Sequence, residues 1–306
     1  MSAQSVIVPL PSNHARFMTL QVPTGQEQTL QAAIGALLTT RDRLISQYPQ
    51  AQIKTGVAFG LNLWQRLHAT KPDNWHDLQA RDGDFHMPAI ACDVFLHIAS
   101  AQADLCFAMV QAFMQAAEDK LTVVDETTAF RYLNGRDLTG FIDGTENAQT
   151  LEDRAEVALF DATQGKFAQG SFVFAQRYVH QLRKWNEQSV DSQEKIIGRT
   201  KLESIELDDD VKPDNAHIAR VVVEDEAGEE LEILRHSLPY GHGSGEQGLY
   251  FVSYSHDLQR VDTMLDKMFG TDGDGLHDQF LHYTTAVDGA YLFMPSQQLL
   301  QQILAY

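Results

Sequence analysis

DVFLHIASAQADLCFAMVQAFMQAAEDKLTVVDE (93–126) reads as three elements in succession. DVFLHIAS (93–100) is a short apolar run of strand length. Behind it, Leu105, Ala108, Met109, Ala112, Phe113 and Ala116 recur every three or four residues, which lays them along one face of a helix. LTVVDE (121–126) returns to β-branched composition and predicts another strand. Strand, helix, strand is therefore the local theme.

The theme extends in both directions. Upstream, ARFMTLQV (15–22) predicts a strand, and IKTGVAFG (53–60) predicts another ending at glycine. Between them, Leu30, Ile34, Leu37, Leu38 and Ile45 mark a helix from about Gln26 to Tyr48. Downstream, SFVFAQRYVH (171–180), EILRHS (232–237) and GLYFVSYS (248–255) predict strands. Leu258, Val261, Leu265, Met268 and Phe269 then trace an amphipathic helix. GAYLFMPS (289–296) is a last strand stopped by Pro295, and a final helix runs through Leu299, Leu300 and Ile303. Short strands and long helices without strict alternation predict an α+β fold of two similar halves, with helices packed over antiparallel sheets. The polar stretch between about residues 127 and 165 carries the boundary.

Composition limits the function. With 306 residues, 43% hydrophobic and 21% charged, the chain can bury a large core. No run approaches the eighteen or so apolar residues of a membrane span. The start, MSAQSVIVPLPSNHARF, lacks the basic and apolar regions of a secretory signal, so a cytoplasmic location is expected. A net charge of −19 argues against nucleic acid and anionic lipid as partners and mildly favours cationic or neutral small substrates. Cys92 and Cys106 form neither a disulfide framework nor a C-x-x-C pair, and Cys106 falls on the apolar face of its helix.

Several patterns carry little. GSGEQG (243–248) has the spacing of a dinucleotide loop, but a strand and not a helix follows it, so it reads as a flexible loop. DGDG (272–275) lacks the remaining ligands of a calcium loop and reads as a turn. Asp208, Asp209 and Asp210 read as a solvated loop. There is no G-x-S-x-G elbow and no H-E-x-x-H pair.

Two segments are harder to set aside. GRDLTGFIDGTENAQ (135–149) brackets Asp143 with glycines and follows it with Thr145, Glu146 and Asn147; a polar hairpin and a functional loop both fit that pattern. IIGRTK (196–201), DNAHIARVVV (214–223) and EILRHSLPYG (232–241) put a His just before a predicted β-branched strand and an Arg on the next. Spacing alone leaves open whether that His is structural or a metal ligand.

Together these segments resemble the dye-decolourising peroxidases, in particular the bacterial cytoplasmic branch called class B. GFIDGTEN is similar to the family's G-x-x-D-G signature, and IIGRTK, NAHIARV, ILRHSLPYG, GEQGLYFVSYS and TTAVDGAYLFMPS match further landmarks in order. The resemblance covers nearly the whole chain, from about residue 15. It implies tandem ferredoxin-like units of the dimeric α+β barrel type, divided into an N-terminal half (1–145) and a C-terminal half (146–306) that carries most of the haem site. It also implies one haem b per chain and a homo-oligomer, with hydrogen peroxide and small aromatic electron donors as substrates. His217 corresponds to the proximal ligand of the haem iron, and Asp278 in LHDQFLHY to the acid behind it, where a helix-start Asp is the plainer alternative. Asp143, Arg235 and Ser237 correspond to the catalytic residues on the peroxide side, Ser237 standing where Asn is the family's other choice. Arg199 corresponds to a partner of a haem propionate, and Gly144, Thr145, Glu146 and Asn147 to the rest of the cofactor-binding turn. Asp288 departs from the small residue usual at its place. An ordinary carboxylate pKa of about 4 for Asp143 implies an acidic activity optimum.

The resemblance leaves two rivals. One is a haem-handling protein with incidental peroxidase activity; the other is cargo of a protein shell, for which QQILAY leaves no evident targeting tail. Bulky donors that do not reach the haem would need a surface Trp or Tyr to relay electrons; Trp64, Trp75 and Trp185 are candidates by residue type only, with ordinary packing the plainer reading of each.

Overall fold

The computed structural model describes every residue except Asp225, Glu226, Glu229 and Tyr306. The first half runs β1 (His14–Gln21), α1 (Glu27–Gln47), β2 (Lys54–Phe59), α2 (Leu61–Leu67), a small hairpin of β3 (Arg81–Asp82) and β4 (His86–Met87), β5 (Val94–Ser100), α3 (Ala103–Ala117) and β6 (Thr122–Phe130). The second half begins with α4 (Leu151–Ala158) and a 3-10 turn (Ala162–Phe167), then β7 (Ser171–His180) and the short helices α5 (Leu182–Asn186), α6 (Val190–Ile197) and α7 (His217–Val221). It continues with β8 (Leu234–Arg235), β9 (Leu238–Gly241), β10 (Gln247–Ser255) and α8 (Leu258–Phe269). A second 3-10 turn (Gln279–His282), β11 (Thr284–Ala286), β12 (Ala290–Met294) and α9 (Gln297–Leu304) complete it.

The pairing order explains the repeated theme. In the first half the strands lie β6-β1-β5-β2, all antiparallel, and in the second β9-β10-β7-β12. Each half is thus a four-stranded sheet whose first and third strands are central, the order of a ferredoxin-like unit. The two sheets join at β6–β9, through Ala129 and Tyr240, and at β2–β12, through Phe59 and Phe293. Eight strands therefore close a barrel with no free edge among them, and the expected tandem α+β barrel is what the chain forms.

The alternation of each strand sorts its side chains between two cores. Phe17, Phe95 and Tyr250 stack inside the barrel, with Phe17 and Tyr250 centroids 4.4 Å apart across the two halves. The outer faces carry the helices and a larger apolar cluster. Helix α8 buries Leu258, Val261, Leu265, Met268 and Phe269 as its spacing predicts, and starts at Asp257, whose side chain accepts from the Gln259 N–H. In α1 the buried residue of the last turn is Leu44, while Ile45 is exposed.

One expected strand is a helix. The segment at 217–221 forms α7 despite its β-branched residues, because Arg220 is anchored by the Lys267 carbonyl and by Asp272 and Asp274. Tertiary contacts outweigh a local propensity worth a few tenths of a kcal/mol per residue. The same contacts explain DGDG, a turn whose two aspartates hold Arg220. GSGEQG is the connection from β9 into β10.

Candidate active site

The main cavity opens between the outer face of the second-half sheet and the helices that cover it, and encloses about 1240 Å³ with its mouth included. Its apolar walls are Phe174 and Tyr178 of β7, Leu249 and Phe251 of β10, and Val261, Met264, Leu265 and Met268 of α8. Polar groups meet in it from separate segments: Asp143, His180 and Arg199, and His217 and Arg235. These include the His, Asp and two Arg that the sequence singles out. A slab of aromatic and aliphatic side chains with a few convergent polar groups suits a large flat ligand.

Two histidines face this cavity, and their hydrogen bonds separate them. His180, which sequence reading misses, has both ring nitrogens engaged: Nδ1 with Thr284 Oγ1 at 2.8 Å and Nε2 with Asp137 at 3.2 Å. Burial alone would raise the Asp137 carboxyl, but His180 and the Thr139 hydrogen bonds outweigh it and hold the carboxyl down at about 2. His217 instead uses only Nδ1, donating to Asp278 Oδ2 at 2.6 Å. Its Nε2 is left for a ligand, in the tautomer an iron centre requires. Phe280 packs edge-on to the His217 ring, 5.7 Å between centroids, and limits its rotation.

Asp278 performs both of the tasks between which the sequence leaves a choice. It is fully buried; Oδ1 caps the 3-10 turn by accepting from Phe280 N–H at 2.8 Å, while Oδ2 takes the His217 proton in a hydrogen bond. Helix α7 sits close enough for this because Gly198 ends α6 in the left-handed region, φ 92°. A Cβ there would stand 2.3 Å from Ile218.

Asp143 is half-buried and lines two cavities, the main one and a second that shares its wall. Burial raises its carboxyl above the ordinary range, against the pull of the Arg235 charge. This corrects the ordinary pKa expected from sequence. Arg235 has no side-chain partner among the described residues, and its buried Nε is unsatisfied. Asn147 does not line the main cavity; it binds the Arg235 backbone from the second. Ser237 also lies on the second cavity, beside Asp143 and Arg235, with Oγ 3.4 Å from the Val252 N–H. Gly144, Thr145 and Glu146 line the main cavity. Arg199 faces Glu146 and Glu206 at the cavity edge, with a buried, unsatisfied Nε.

The three tryptophans are not surface sites. Trp64 and Trp75 are buried together 5.8 Å apart, and Trp185 is buried against Phe280.

The residues present fit a haem. The apolar walls match a macrocycle, His217 offers a free imidazole nitrogen, and two buried arginine Nε atoms have no partner among the described residues. Comparison with known proteins agrees. Residues 4–131 match the family model "Dyp-type peroxidase, N-terminal" and 134–299 match "Dyp-type peroxidase, C-terminal". A dye-decolorizing peroxidase from Rhodococcus erythropolis is 35% identical over 97% of this chain and 87% of its own. A solved dye-decolorizing protein from V. cholerae superposes with TM-score 0.92 at 41% identity, covering 98% of this chain and 99% of that one. A Rhodococcus jostii DypB variant in complex with heme superposes at 0.90 with 33% identity, covering 98% of each chain.

Proposed function

The chain belongs to the Dyp-type peroxidases, and from that premise we propose that Asp143, Arg235 and Ser237 work on peroxide while His217, backed by Asp278, would hold the haem iron. It is a haem peroxidase that reduces hydrogen peroxide to water while oxidising organic donors. The division of labour between residues is the proposal.

The observation that carries it is the contrast between the two cavity histidines: among the described residues, only His217 has a ring nitrogen without a partner. Haem held by His217 would supply an iron centre able to take oxidising equivalents from peroxide and pass them to donors. Asp143, ionised, accepts a proton from one peroxide oxygen and returns it to the other, which leaves as water. Arg235 stabilises negative charge on that departing oxygen from a fixed, desolvated position. Ser237 orients a water beside them. Asp278 fixes the His217 tautomer and makes the imidazole a stronger donor. Arg199 suits a propionate at the cavity edge, with Glu146 exchanged for the cofactor's carboxylate and Gly144, Thr145 and Asn147 forming the rest of the turn.

The same proposal includes the class B assignment, a cytoplasmic location, a homo-oligomer, and small aromatic donors. It also places the division of the chain near residue 145, in the connection between β6 and α4. No helix among the described residues is long and apolar enough to cross a membrane.

The test is an absorption spectrum of the haem-reconstituted protein before and after one equivalent of hydrogen peroxide. It is repeated for His217→Ala, Asp143→Ala and Arg235→Ala. The expected outcome is loss of the native ferric spectrum in the first and slow spectral change in the other two. Native-like rates in Asp143→Ala would refute the assigned proton transfer, whereas only slow bleaching in every protein, the unsubstituted one included, would favour haem handling as the protein's role.

A further inference from the structure

Four arginines, Arg131, Arg136, Arg154 and Arg235, line the second cavity of a chain whose net charge is −19. Elsewhere the buried Arg81 and Arg220 and the part-buried Arg177 face acids: Arg81 pairs with Asp262, Arg177 with Asp125 and Arg220 with Asp274. Here they do not. Arg136 donates to the carbonyls of Gly140, Lys201 and Leu202. Arg154, almost wholly buried, donates to the carbonyls of Val8 and Ala148 and meets the His236 ring at 2.9 Å. That ring stays neutral, because burial and the adjacent cations push its pKa well down. Arg131 is exposed at the mouth, with a guanidinium nitrogen over Gly135, and its side chain makes no hydrogen bond or ion pair among the described residues. Arg235, at the wall shared with the main cavity, has its buried Nε unsatisfied. Among the described residues, the one carboxylate on the lining is Asp143.

We propose that this second cavity binds a small monovalent anion between Arg131 at its mouth and Arg235 at its inner wall, and that the bound anion slows the reaction with peroxide. A cavity with cationic walls and low-dielectric surroundings focuses its field inward, so its anion occupancy exceeds that of the acidic outer surface. Guanidinium donors without a protein acceptor supply the hydrogen bonds. The ligand class is an inorganic monoanion or a short carboxylate. The anion neutralises the charge Arg235 offers to the departing oxygen, so inhibition follows from occupancy. That second part rests on the roles proposed for Asp143 and Arg235; the binding itself does not.

Crystals of the haem-loaded protein soaked in sodium bromide, with data collected at the bromine edge, locate the ion without any turnover. An anomalous peak in the cavity that disappears in Arg131→Gln is the expected result. Peaks confined to the outer surface overturn the site, whatever the fate of the catalytic assignment. In solution, sodium nitrate is titrated against the second-order rate of the peroxide reaction, followed at the Soret band. Its inhibition constant is expected to weaken about tenfold in Arg131→Gln, the loss of one charge-assisted hydrogen bond. Arg131→Lys, which keeps the charge, is expected to recover most of that. An unchanged constant in Arg131→Gln, or a nitrate-dependent Soret shift before peroxide is added, overturns the inhibition by assigning it to bulk screening or to the iron.

Discussion

Asn147 holds Arg235 by its backbone at both ends: Nδ2 donates to the Arg235 carbonyl at 2.9 Å, and Oδ1 accepts from the Arg235 N–H at 2.8 Å. The pair works like a strand bridge made by one side chain. It ties the Asp143 loop to β8 and so fixes Asp143 and Arg235, both proposed to act on peroxide, relative to one another. Gly144 makes room for it, since a Cβ at its φ of 76° would lie 2.9 Å from Asn147 Nδ2.

Asn147→Ala removes both bonds and leaves the Arg235 N–H without its acceptor. Each such loss costs about 1–3 kcal/mol where the group is desolvated. The expected outcome is a second-order rate with peroxide at least about tenfold lower, with haem still bound. Stopped-flow absorbance measures it, and a native rate would show that Arg235 is positioned by other contacts.

The pH profile follows from the direction of the Asp143 shift. A carboxyl raised by burial is protonated, and useless as a base, over the range just above the ordinary carboxylate pKa of about 4. The peroxide reaction is therefore expected to slow on acidification from a pH higher than an exposed Asp would give, so the acid limb lies above the range that the sequence implies. In Asp143→Ala that limb is expected to vanish along with most of the rate. An acid limb retained in the variant would assign it to another group.

Asp278→Asn keeps an oxygen for His217 Nδ1 but removes the negative charge behind the imidazole. A weaker imidazole donor favours the reduced iron. The reduction potential of the bound haem is expected to rise by about 59 mV or more, a tenfold change in a one-electron equilibrium. Spectroelectrochemistry reads this directly; an unmoved potential would reduce Asp278 to the cap of its 3-10 turn.

Asp288 lines neither cavity, and its expected effect is on stability. Burial, working against the hydrogen bond from the Arg177 N–H, raises its carboxyl to about 6. A folded pKa above the unfolded value of about 4 means that folding takes up a proton between those values. Its contribution to stability is therefore most favourable below about pH 4 and declines as the pH rises through 6. Asp288→Asn retains an acceptor for Arg177 and is expected to stabilise the protein by about 1–3 kcal/mol at pH 8, with little effect at pH 4. Thermal unfolding at the two pH values tests it; equal Tm changes at both would show that charge is not the cause.

Periodic segments are legible in the amino-acid order alone. The α8 pattern, the β7 and β10 runs and the outline of α1 and α3 follow from side-chain spacing, since one buried face imposes a period on the chain wherever the fold places it. Asp143, His217 and Arg235 stand out only through motif resemblance, because one His before valines has no distinguishing spacing. His180 closes an ordinary strand pattern and gives no signal; it is held on the cavity wall by Thr284 and Asp137, both distant in the chain.

By itself, then, the sequence determined the α+β class, the two-fold repetition and the residue types at the cavity. Tertiary structure decided the rest. Barrel closure depends on which sheet edges meet, at Ala129–Tyr240 and Phe59–Phe293, and these long-range pairings leave no local period. The choice between His180 and His217 depends on hydrogen-bond partners 43 and 61 residues away in the chain. A free imidazole nitrogen is a property of three-dimensional surroundings, and only the folded chain supplies those.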